Sequence, residues 1–116
     1  MDYPMSTIIA TRVMTRTRQP DGVQTTITVE IGMPVQTPAD DPCGGWYATM
    51  RYSIDPDNRV WVVYGEDSVQ ALTLALVRPG VLLPVFPYAN EIDYSVMPTF
   101  GFPLPPPLPP VQPTPL

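Results

Sequence analysis

Two stretches near the N-terminus alternate apolar and polar side chains with a period of two. From Val23 to Ile31, Val23, Thr25, Ile27, Val29 and Ile31 alternate with Gln24, Thr26, Thr28 and Glu30. Successive side chains of a strand point to opposite faces, so this pattern predicts a half-buried strand. Ser6 to Arg18, rich in Thr, Ile and Val, predicts another. Ile9, Thr11, Val13, Thr15 and Thr17 line one of its faces, and Ala10, Arg12, Met14, Arg16 and Arg18 the other. Gln19-Pro20-Asp21-Gly22 joins the two as a turn, with Pro setting φ and Gly accepting a positive φ.

Met33 to Gly45, with three prolines, two aspartates and a Gly-Gly pair, predicts a loop. A second hairpin follows. In residues 46–54, Trp46, Ala48, Met50, Tyr52 and Ile54 alternate with Tyr47, Thr49, Arg51 and Ser53. Asp55-Pro56-Asp57-Asn58 turns the chain into Arg59-Val60-Trp61-Val62-Val63-Tyr64.

The period then changes. Asp67 suits an N-cap with Gln70 three residues on, and Val69, Leu72 and Leu76 recur at helical spacing. Pro79-Gly80 is the expected stop, giving about twelve residues and roughly 18 Å of helix, enough to lie across a sheet. Val81 to Pro87 is apolar but proline-broken and is expected to run extended. Glu91 to Met97 predicts a short edge strand, and Phe100-Gly101-Phe102 the last anchored residues.

The predicted class is α+β: a four-stranded antiparallel β-meander covered by one α-helix, with an extended proline-rich C-terminal tail. Residues 1–5 form a flexible N-terminus, 6–102 a single domain and 103–116 the tail. Of 18 prolines in 116 residues, eight fall in that tail, where alternating Pro and Leu favour polyproline II.

The segment Gly65-Glu66-Asp67-Ser68-Val69-Gln70-Ala71-Leu72-Thr73-Leu74-Ala75-Leu76 resembles the signature of a family of small uncharacterised bacterial domains, roughly G-x-D-S-x-Q-A-L-x-L-A-L after a hairpin. Gly101-Phe102-Pro103 resembles a late G-F-P of that family, and Ile9-Ala10-Thr11-Arg12 its opening. The likeness spans about residues 6–103 and implies the fold; the family carries no established activity. It also implies a start at Met5, with residues 1–4 dispensable. Pro79 and the long proline tail depart from the pattern.

Composition narrows the chemistry. The formal net charge of -5 makes nucleic acid and anionic membranes poor partners, and no apolar run approaches the roughly 20 residues of a membrane span. The N-terminus lacks the basic and apolar regions of a signal peptide, so a soluble cytoplasmic protein is expected, with export by another route open. One cysteine excludes an internal disulfide, and the absence of His and Lys removes most common catalytic arrangements. No cofactor, metal or catalytic residue is therefore expected.

Each candidate cluster has a structural alternative. Asp67-Ser68-Val69-Gln70 reads as an anion-binding helix N-terminus or as a cap. Cys43 beside Gly44-Gly45 reads as an exposed nucleophile, or as a free thiol with no His to activate it. Asp40, Asp41, Asp55 and Asp57 suit a divalent cation or turn chemistry. Arg12, Arg16 and Arg18 share one strand face, where they can receive an acidic partner or protect an edge strand. Arg51 and Arg59 either extend that patch or pair with Glu30. Tyr47 and Trp61 stand for an aromatic density that serves either core or contact. Pro105 and Leu108 mark the tail, which either docks in an aromatic groove or is a stiff terminus.

These residues point to a small non-enzymatic binding protein of bacterial or phage origin, acting on another protein as inhibitor, immunity factor or assembly component. A structural component whose proline arm packs on a neighbouring subunit, by self-association, is the alternative. An enzyme using carboxylates, Arg and a metal is the third and weakest.

Overall fold

The computed structural model describes residues 3–54, 57–86, 89–93 and 101–103. Where the period-two pattern is strongest, strands form: β1 (Ile8–Thr17), β2 (Gln24–Gly32), β4 (Trp46–Ile54) and β5 (Asp57–Gly65). Two short strands add to them, β3 (Val35–Gln36) and β6 (Ile92–Asp93). The sheet is antiparallel with β6, β1, β2, β4 and β5 side by side, and β3 pairs with Trp46 and Tyr47 on the β4 edge that β2 occupies further along. The four-strand expectation is thus corrected by two pairings. The loop 33–45 keeps one ladder contact of its own, and Ile92 and Asp93 pair with Arg16 and Thr15. The remainder of the expected edge strand, 94–97, lies outside the described residues, as do Phe100, Pro105 and Leu108.

Gly22 takes φ 71° in the first hairpin turn, the conformation its lack of a Cβ permits. The core sits on one sheet face, where Met14, Ile27, Val29, Ile31, Ala48, Met50, Ile54 and Val63 are buried. Helix α1 (Ser68–Leu82) covers that face over β4 and β5 with Ala71 and Ala75, both 0% exposed, at its closest approach. Beside it, over β1 and β2, Phe102 is buried against Leu76, Val29 and Ile31.

The helix begins as the sequence predicts. Asp67 Oδ1 accepts the Gln70 amide at 2.7 Å, and Gln70 Oε1 accepts the Glu66 amide at 2.7 Å. Its end differs. Pro79 and Gly80 do not stop α1, which runs on to Leu82 and into a 3-10 turn, Leu83–Val85, where extended chain was expected. An interior proline removes one helix hydrogen bond and crowds the preceding turn, at about 3 kcal/mol. Burying an apolar side chain contributes roughly 1.5–3 kcal/mol, and Pro79 and Leu83 are both fully buried on the sheet. Docking of the helix outweighs the local rule.

Ser68–Val85 is, by length and composition only, an 18-residue helical run apolar enough to cross a membrane. Core helices pass the same test, and here the run lies on the sheet. Its solvent side nevertheless carries exposed Val69, Leu74 and Val81.

Gly65 marks where α1 meets β5. A Cβ there would lie 2.8 Å from Ala71 Cα and closer still to its amide nitrogen. Backbone cannot yield as a side-chain tip does, so Gly65→Ala is expected to cost roughly 1–3 kcal/mol or more. Chemical denaturation checks this; an unchanged midpoint would contradict the close approach.

Candidate functional site

β5 places Arg59, Trp61 and Val63 on the helix side of the sheet. Val63 is buried under α1, whereas Trp61 and Arg59 lie further along, at the rim. Register puts Met50 opposite Trp61 and Tyr52 opposite Arg59, so β4 adds a second aromatic to the same rim. The chain returns there after the 3-10 turn, and Phe86 meets Tyr52 at a centroid distance of 5.1 Å, tilted by 48°.

Two cations bracket the indole. The Arg59 guanidinium lies 5.6 Å from the Trp61 ring centroid, and that of Arg78, from α1, lies 5.1 Å away. Both distances are within the range in which a guanidinium is attracted by the ring's negative face. Tyr52, Asp57, Asn58, Arg59, Trp61 and Phe86 enclose a cleft of about 310 Å³. An apolar recess beneath it, floored by Pro79, Leu82 and Leu83, joins it to the core. Such a cleft offers aromatic walls, the Arg59 guanidinium and an amide and a carboxylate at the rim, with Arg78 against the same indole but outside the lining. It presents no His or Cys for nucleophilic or proton-transfer chemistry.

The arginine row on β1 is differently engaged. Arg12, Arg16 and Arg18 share the face of Met14, which is the core face, beyond the helix margin. Long arginine stems can cover apolar surface there while the guanidinium reaches outward. Arg12 lies over the Phe102 ring at 4.8 Å. Arg16 holds Glu91, with Nε donating to Oε1 at 2.9 Å, and Arg18 Nε donates to Asp21 Oδ2 at 3.1 Å. The Gln19 amide and then Arg16 hold the Glu91 carboxyl below its usual range, and Arg18 does the same for Asp21. Arg16 and Arg18 therefore have carboxylates from their own chain.

Arg51 and Arg59 fall on opposite faces. Arg51 Nε donates to Glu30 Oε1 at 2.7 Å on the open face, and Arg59 points to the helix side. Tyr47 is only 8% exposed. Tyr3, from the segment predicted to be flexible, stacks on it at 4.1 Å and 7°. That ring face is taken.

Asp41 is a structural hub on the same side. It accepts from Tyr3 Oη at 2.6 Å, Tyr64 Oη at 3.1 Å and the Cys43 amide at 2.8 Å. Tyr3 leads in holding its carboxyl below the usual range; burial first, and then Asp41, pushes Tyr64 up to about 12. Cys43 is exposed in this loop. Among the described residues, no three acidic or cysteine side chains gather as a metal site; Asp55 lies outside them.

The signs give a pH dependence at both ends. A depressed Asp41 contributes stability that is present above its unfolded pKa of about 3.9 and is lost as pH falls through the lower folded value. A raised Tyr64 contributes stability that is complete below about pH 10 and lost as pH rises towards 12. Melting temperature is expected to fall below about pH 4 and above about pH 10, and Asp41→Asn to flatten both limbs. Unchanged limbs in the variant would contradict the hub.

Comparison of the chain with protein-family models, curated proteins and solved structures finds no match. The likeness at Gly65–Leu76 therefore rests on those residues alone.

Proposed function

We propose that this chain is a small acidic, non-enzymatic protein-binding module that meets its partner at the Trp61 cleft. The observation that carries this is Trp61 itself: a half-buried indole bracketed by Arg59 and Arg78 at the mouth of a preformed cleft. Trp, Tyr and Arg dominate binding energy at protein contacts, because they bury large areas and still offer donors at their ends. A cleft whose aromatics are already placed loses little freedom on binding. The body, four long strands under one helix, is the mount for that cleft.

Full-length chain as bait in extracts of its native cell, beside Trp61→Ala and Val13→Ala baits, tests the proposal. The expected result is a protein held by the wild type and the Val13 variant and lost from the Trp61 variant. Capture indifferent to Trp61, or substrate turnover that depends on a mutable side chain, would overturn it.

A further inference from the structure

The cleft suits a ligand that the chain itself carries. From Pro103 the sequence runs Pro-Leu-Pro-Pro-Pro-Leu-Pro-Pro. Such a sequence favours polyproline II, a stiff helix with no internal hydrogen bonds and outward carbonyls. Aromatic-lined grooves take these helices at low entropic cost because the ligand is already extended. Here Tyr52, Trp61 and Phe86 provide the walls, and Asn58 and Arg59 provide N–H donors for ligand carbonyls.

We propose that the cleft binds the proline-rich arm, residues 103–116, of a second copy of this chain. The inference rests on the cleft being a protein-contact surface, and it names the partner. The arm's point of departure decides between its own cleft and another's. Phe102 is buried on the β1–β2 side, where it lines one recess with Val29, Ile31 and Leu76, whereas the cleft lies on the β4–β5 side, where Arg78 lies over Trp61. Leu76 and Arg78 are two residues apart, about 200° round the helix, so α1 stands between arm and cleft. An α-helix is about 10 Å across, and a polyproline rod keeps its direction over several residues. A stiff extended segment leaving from the flank of Phe102 would have to cross α1 to enter the cleft of its own molecule, whereas the cleft of a second molecule needs no such turn. At about 3.1 Å per residue the arm spans roughly 40 Å, enough to reach a neighbouring molecule. Reciprocal exchange of arms closes a two-fold dimer; one-way exchange builds a chain.

Sedimentation of the full-length protein over a concentration series tests this. The variants are Trp61→Ala, the triple change Pro105→Gly, Pro106→Gly and Pro107→Gly, and Arg51→Ala on the opposite face. Concentration-dependent association is expected in the wild type and in Arg51→Ala. It should weaken about 30-fold or more in the other two, and a synthetic peptide of residues 103–110 should dissociate it. The tail variant changes none of the described residues, and its melting temperature, measured beside that of the wild type, keeps its result readable even if Trp61→Ala unfolds. A wild type that stays monomeric overturns the proposal, as does association indifferent to the tail. A monomer whose Trp61 indole N–H signal responds to the tail variant also overturns it, because the arm then occupies its own cleft. Trp61-dependent capture of a different protein by a non-associating chain would leave the cleft standing and remove only the second copy as its occupant.

Discussion

Replacing Ile27 by alanine is expected to lower the melting temperature by on the order of 10–30 °C, while Val13→Ala leaves it nearly unchanged. Ile27 is 0% exposed at the centre of the sheet, paired with Met14 on one side and Ile54 on the other. Truncating a buried isoleucine to alanine costs about 2–5 kcal/mol, from lost transfer energy and from the cavity left behind. In a domain of this size each kcal/mol is worth about 4–8 °C. Val13 is as apolar but 61% exposed on the opposite face, where substitutions usually stay within about 0.5 kcal/mol. Thermal unfolding followed by circular dichroism distinguishes the faces. Equal losses at both positions would mean that the sheet buries both faces.

The second large effect is on association. Trp61→Ala is expected to weaken binding at the cleft about 30-fold or more, the range of a contact whose loss costs 2 kcal/mol or above. Arg59→Ala and Arg78→Ala should each cost less, about 2- to 5-fold, since each removes one cation–π contact of about 0.5–1 kcal/mol. Titration calorimetry or sedimentation reads all three. If the arginine variants lost as much as the tryptophan variant, charge and not aromatic burial would be the principal contribution. Raised ionic strength would then weaken binding by a similar factor.

The strands were legible because their pattern is local. Alternation in residues 23–31 and 46–54 needs nothing but the pleat to be read. The choice of buried face was not legible on β1, since Val13 lies on the open side, Ile9 is exposed at a register shift, and the three arginines share the core side with Met14. That choice is made by where α1 docks, a tertiary fact. Pro79 misleads for the same reason: the local rule ends the helix, and burial of Pro79 and Leu83 on the sheet carries it through. β3 offers two residues of ladder, too short for any periodicity, whereas β6 falls within the edge strand expected over Glu91–Met97.

The site was half visible. Trp61 stands out by type, and Arg59 shares its face by strand parity. Tyr52 joins only through the register that pairs it with Arg59. Arg78 and Phe86 arrive from the helix and the turn beyond it, and no spacing in the sequence announces that Arg78 reaches Trp61 or that Phe86 meets Tyr52. The arginine row, conspicuous as a pattern, is largely satisfied within the chain by Glu91 and Asp21.

The most direct test is the indole N–H signal of Trp61 in the ¹⁵N-labelled full-length chain, followed as the binding partner is added. The chain has two tryptophans, and Trp46, at the start of β4 and four residues from the Met50 that pairs with Trp61, serves as an internal control. A shift or broadening of Trp61 with Trp46 unmoved is the predicted result. Movement confined to Trp46 or to the open sheet face, with Trp61 still, would contradict the cleft as the contact surface.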